Sequence, residues 1–132
     1  MSPEEQDSRL KEILGPFPNT YTYTKSMAER TLRKLRRPEL PVVLLRPAII
    51  TSSIKEPHFG WTDTLSAAGG LSVAGGVGII NLVHGNVTNI GDLVPVDLVS
   101  NTIIVATALK AYKPDFTVMH CGTSHSNPIT WY

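Results

Sequence analysis

Tyr21 and Lys25 stand four residues apart in the run YTYTK, a spacing that on an α-helix sets a phenol and an ammonium on one face. Tyr23 has Met27 at the same offset, so only one pairing of this kind is available in the run. A phenol alone is a poor proton donor at neutral pH. A cation beside it stabilises the phenolate and makes it a usable general acid. The ammonium also carries three N–H donors and can hold a ribose diol, so the same pair would seat a nucleotide cofactor and protonate a substrate oxygen. The spacing arises equally without chemistry, with Tyr21 a half-buried anchor and Lys25 its solvated neighbour, and the motif alone does not separate the two.

A helix has to carry the pair, and the flanking residues supply one. Asn19 or Thr20 is suited to cap it, and Tyr21, Lys25, Ala28, Leu32 and Leu35 recur at steps that trace one face of a 3.6-residue period. Basic residues at 33, 34, 36 and 37 complement the C-terminal dipole before Pro38 stops the helix. A shorter helix over Ser8 to Leu14 is expected upstream, ended by Gly15, Pro16 and Pro18. Downstream, Val42 to Leu45 form an uninterrupted apolar run of the kind buried on both faces of a parallel sheet.

Residues 51–91 are rich in Gly, Ser, Thr and Asn and read as an irregular excursion, functional or partly helical. Helical character returns over Asp97 to Leu109, with Asp92 and Asp97 placed to cap that helix rather than to act as paired acids. Phe116 to His120 is a short strand candidate, and residues 126–132, SNPITWY, read as the cap and first turn of a further helix. The fold class is therefore α/β: the second half of a Rossmann-like doubly wound parallel sheet, truncated at both ends, in one partial nucleotide-binding domain over 1–132. A glycine-rich turn of the strand, G-x-x-G-x-x-G, helix type is nowhere in the sequence, and Gly75, Gly76 and Gly78 follow no expected strand.

Composition narrows the partners. With 42% hydrophobic residues in 132, the chain has the apolar content to bury a core, and 12 Lys and Arg against 11 Asp and Glu leave no broad field for nucleic acid. The single Cys121 rules out an internal disulfide and thiol-pair redox chemistry; with His120 and His125 it lacks the spacing of a structural zinc site, so no metal is expected. The acidic N-terminus is unlike an export signal. Leu65 to Val83 is uncharged and nearly of spanning length, but its five glycines favour a loop with short helical pieces.

The blocks PNTYTYTKSMAE, LPVVLLRPAII, KEPHFGW, GDLVPVDLVSN and HCGTSHSNPITW, in that order, together resemble the alcohol-forming fatty acyl-CoA reductases of the male-sterility family, which are of the extended short-chain dehydrogenase/reductase type. The resemblance covers residues 15–132 and implies NADPH-dependent reduction of a long-chain acyl-CoA, through an aldehyde, to a fatty alcohol. It implies Tyr21 as proton donor and Lys25 as its tuning partner and ribose ligand. It places Arg46, Pro47, Ala48 and Ile49 beside the nicotinamide, with Phe59 and Trp61 lining an acyl channel on a substrate-side excursion. It also implies an intracellular setting at a peroxisomal or endoplasmic-reticulum membrane surface, with membrane association through segments that this sequence does not contain.

Two other readings stay open on the sequence. A different extended short-chain oxidoreductase or epimerase would share the Tyr–Lys helix, although the apolar stretch from Leu65 favours acyl over sugar chemistry. A non-catalytic fragment would act, if at all, by pairing an exposed sheet edge. Without the phosphate-binding glycine turn, the chain by itself is expected to bind NADPH weakly and to turn over little, since a pyrophosphate has no helix N-terminus of that type to sit on.

Overall fold

A computed structural model describes residues 2–65 and 68–131. Of the positions covered by the expectations above, Met1, Ser66, Ala67 and Tyr132 lie outside the described residues. The chain forms two compact units, Met1–Leu40 and Pro41–Tyr132.

The first unit is a pair of helices. Helix α1 spans Pro3–Leu14 and begins five residues earlier than expected. Its start is a capping box: the Ser2 hydroxyl accepts from the Glu5 N–H, the Glu5 carboxylate accepts from the Ser2 N–H at 2.7 Å, and Pro3 opens the first turn. Gly15, at φ 54°, ends it in a conformation open to glycine at little cost. Helix α2 spans Thr20–Leu35 with Asn19 as its cap and Arg33 and Lys34 in its last turn, much as expected.

The second unit is α/β. Strand β1, Val42–Pro47, pairs in parallel with a strand from near the other end of the chain, and β2, Ile49–Thr51, follows after a single residue. Helix α3 is a nine-residue piece, Ala68–Gly76, inside the glycine-rich excursion. Then come β3 at Ile90–Gly91, β4 at Leu93–Pro95, helix α4 at Val96–Lys110, β5 at Phe116–Cys121 and β6 at Ile129–Thr130. β1 lies parallel to β5, in register from Val42 with Phe116 to Pro47 with Cys121. β2 lies parallel to β4, from Ile49 with Leu93 to Thr51 with Pro95. The change of partner falls at Ala48: its N–H donates to the Cys121 carbonyl at 2.8 Å, and the next N–H, that of Ile49, donates to the Asp92 carbonyl at 3.0 Å. Helix α4 connects β4 to β5 and packs on β1, β2 and β4, which is the parallel crossover arrangement of a Rossmann-like half-sheet.

Val94, Val99 and Ala106 form the fully buried apolar centre among the described residues, where α4 meets β4. Val42 to Leu45 are half-buried rather than covered on both faces, because α4 is the main helix that packs on β1 within this unit. Residues 126–131 do not begin a helix. Ile129–Thr130 pairs antiparallel with Ile90–Gly91, and the Trp131 N–H donates to the Val87 carbonyl at 3.1 Å. Gly91 suits this pairing: a Cβ there would fall 3.1 Å from the indole of Trp131, so the bare backbone is what lets the ring lie against it.

Asp92 and Asp97 do not cap α4 either; its N-cap position is Pro95, with no side-chain cap bond. The Asp92 carboxylate instead accepts from the N–H groups of Thr123 and Ser124 at 3.1 and 3.2 Å, fastening the turn after β5 to the start of β4. Gly122 leaves room for it, since a Cβ at that position would lie 2.8 Å from a carboxylate oxygen. Gly122→Ala is therefore expected to cost about 1–3 kcal/mol through overpacking, to be read from urea unfolding, with Gly85→Ala as a control at a site whose added Cβ meets nothing.

Candidate active site

The Tyr21–Lys25 pair sits in the first two turns of α2, where Asn19 fixes the helix start. Its side-chain oxygen accepts from the Thr22 N–H at 2.9 Å and from the Thr22 hydroxyl at 3.1 Å, so the backbone carrying Tyr21 is pinned on either side of it. The Thr24 hydroxyl bonds back to the carbonyls of Thr20 and Tyr21 at 2.9 and 3.0 Å. Lys25 Nζ then lies over the Tyr21 ring, 5.5 Å from its centroid, within cation–π range.

The two tyrosines of the run divide their work. Tyr23 is the half-buried anchor, its ring meeting Phe17 edge-on at 5.7 Å between centroids. Tyr21, by contrast, is 68% exposed. The whole face expected to pack, from Tyr21 to Leu35, is exposed, and α2 buries none of its residues, because α1 does not cover it within their unit.

In the second unit, Arg46 and Pro47 close β1 and are exposed, Ala48 is half-buried at the change of partner, and Ile49 opens β2. The N–H groups of Ala48 and Ile49 are both committed to the sheet. A carboxamide placed beside this stretch would thus meet carbonyl oxygens and side chains rather than those two donors.

Phe59 and Trp61 belong to a closed loop. The buried Ser53 ties its neck: the Ser53 N–H donates to the Trp61 carbonyl at 3.0 Å, the Gly60 N–H donates to the Ser53 carbonyl at 2.9 Å, and the Ser53 hydroxyl donates to the His58 carbonyl at 2.6 Å. Trp61 is half-buried at this neck, while Phe59 at the tip is 84% exposed. The outer side of the loop is held by Asp97, in the first turn of α4. Its carboxylate accepts from three consecutive N–H groups, those of Ile54 at 3.3 Å, Lys55 at 2.9 Å and Glu56 at 3.2 Å. The Asn101 amide, one turn on, donates to the Glu56 carboxylate at 3.3 Å.

The structure thus brings Tyr21 and Lys25 together on one helix, sets Arg46 to Ile49 in succession at a strand end, and separates exposed Phe59 from half-buried Trp61. Sequence reasoning missed Ser53 and the true role of Asp97. The partners of Ser53 lie within eight residues of it, in a loop with no regular period, whereas those of Asp97 lie up to 43 residues away, and the one available signal for it was an acid inside the apolar run LVPVDLV.

Removal from water pushes the Asp97 carboxyl up, but the N–H donors of Glu56, Ile54 and Lys55 outweigh this and hold it below its ordinary value of 3.8. A carboxylate depressed in the folded state contributes stability that is fully present above its unfolded value and is lost as pH falls through the folded one. Urea unfolding from pH 6 down to pH 2 is expected to show the parent chain losing its advantage over Asp97→Asn only below about pH 4. A constant difference across the series would mean that ionisation of Asp97 is not what holds the loop.

A family model described as "Male sterility protein" matches residues 1–103. A probable fatty acyl-CoA reductase 5 from Arabidopsis thaliana is 40% identical over 98% of this chain and 27% of its own length. The fatty acyl-CoA reductase 1 of Xenopus laevis is 35% identical over 91% of the chain and 24% of its own length, and that of Homo sapiens gives the same three figures. The chain spans about a quarter of the length of the curated relatives it matches. No helix among the described residues is long and apolar enough to cross a membrane.

Proposed function

The chain belongs to the male sterility protein family of nicotinamide-cofactor-binding oxidoreductases, and from that premise we propose that it carries the proton-donating part of a reductase that takes long-chain acyl-CoA to a primary alcohol. The observation that carries the reading is the exposed Tyr21 phenol with the Lys25 ammonium over its ring at 5.5 Å. NADPH, when bound, supplies hydride to the carbonyl carbon. Tyr21 gives its hydroxyl proton to the carbonyl oxygen as negative charge builds there, and the Lys25 charge stabilises the phenolate left behind.

Both side chains are exposed on α2, which suits a ribose diol, to which Lys25 has three donors to offer. In the second unit, Arg46, Pro47, Ala48 and Ile49 are assigned to the nicotinamide side, and Phe59 and Trp61 to the acyl chain. Two reductive rounds are required. In the first, the thioester C–S bond breaks and coenzyme A leaves as the thiol; in the second, the aldehyde takes up a hydride and a proton to give the alcohol. Tyr21 serves as donor where an oxygen is protonated.

The test places this chain in the matching quarter of the Arabidopsis relative and follows NADPH oxidation with hexadecanoyl-CoA. Tyr21→Phe is expected to lower kcat by about 10²–10⁴-fold, the usual contribution of a positioned general acid, with little change in NADPH affinity. Lys25→Ala is expected to weaken NADPH binding as well, measured by the cofactor's fluorescence. An unchanged kcat in Tyr21→Phe sinks the assignment.

A further inference from the structure

The loop between Ser53 and Trp61 is built to keep a shape rather than to fill space. Ser53 is 2% exposed and spends its N–H, carbonyl and hydroxyl on residues 58–61, closing the neck. Asp97 is 7% exposed and spends both carboxylate oxygens on the N–H groups of residues 54–56. Three consecutive amides turned toward one point form a concave anion seat, and here the anion is the protein's own. The seat is also at the N-terminal end of α4, where the helix dipole favours negative charge. Two independent fastenings thus converge on a nine-residue loop whose tip carries an apolar ring, Phe59, facing solvent.

An exposed phenylalanine on a mobile loop would lose much of its contact free energy to the ordering of that loop on binding, whereas one on a preorganised loop would not. The geometry points to Asp97 as a positioning residue for acyl-chain selectivity: by fixing residues 54–56 it holds Phe59 ready to cover the distal part of a long acyl chain. This rests on the acyl-CoA reading given above and deepens it. Asp97 touches no substrate in this scheme and acts only through the loop, so its effect must disappear when Phe59 is gone.

The experiment is a double-mutant cycle with this chain placed in the matching quarter of the Arabidopsis relative, comparing hexadecanoyl-CoA and hexanoyl-CoA by titration calorimetry, with Phe59→Ala, Asp97→Asn and the double variant. Phe59→Ala, at an exposed site, is expected to weaken the sixteen-carbon ester by about tenfold, the scale of one apolar side chain's contact, and to leave the six-carbon ester nearly unchanged. Asp97→Asn is expected to follow the same pattern, with faster amide hydrogen exchange at Ile54, Lys55 and Glu56 while α4 stays protected. The double variant is expected to be no weaker than Phe59→Ala alone. Additive losses, or equal losses for both esters, overturn the positioning role while leaving the acyl-CoA reading in place. Failure of the unsubstituted chimera to bind either ester overturns both.

Discussion

The stretch from Val42 to Thr51 is the constraint on which the second unit depends. Ten residues in extended conformation serve two parallel partners in turn, β5 over the first six and β4 over the last three, and the handover occupies only Ala48. Parallel pairing needs a crossover connection, and α4 supplies it by running from β4 back to the start of β5. The buried centre of Val94, Val99 and Ala106 exists because that helix must lie over the strands it joins. Once the ladder is set, both ends of the excursion are placed: β2 opens it and β3 and β4 close it, which brings residues 53–56 to the first turn of α4.

Carboxylates then do what glycine turns and helix caps do in other nucleotide-binding folds, organising backbone amides around a negative charge. Asp92 gathers the turn after β5, and Asp97 gathers the loop after β2. Each replaces water around amides that the loop conformation leaves without a ladder partner, and an ionised acceptor makes those bonds stronger than neutral ones. Asp115 instead gathers side chains. It is bonded to Lys110 at 2.9 Å, and that bond, helped by the Thr117 hydroxyl, outweighs burial and keeps its carboxyl below the ordinary range.

The legible and illegible parts of this fold divide by sequence distance. Helix α2, β1, α4 and β5 were readable because cap residues, the 3.6-residue period and the apolar run VVLL are written within a few positions of one another. The start of α1 was written just as locally, in Ser2, Pro3 and Glu5, and was passed over. The Tyr–Lys face was readable for the same reason, since four residues suffice to define it. What could not be read were features made by residues some 30 to 45 apart: Asp97 on 54–56, Asp92 on 123–124, and β6 on β3. Both aspartates looked like caps because a cap is the local use of that side chain. Residues 128–130, Pro-Ile-Thr, looked like a first helical turn because proline is at home there, whereas Ile129 and Thr130 pair with Gly91 and Ile90, about 40 residues earlier.

Gly91 and Asp92 are neighbours, and between them they hold both ends of one segment: the indole of Trp131 lies against Gly91, and the amides of Thr123 and Ser124 bond to Asp92. Adjacent Cα atoms are about 3.8 Å apart, whereas nine free residues could stretch to about 30 Å. The run from 123 to 131 is therefore buckled onto a single peptide unit and works as a gauge of its own length. Residues within it can change in kind more freely than in number, because an insertion or deletion would have to be absorbed without moving either end.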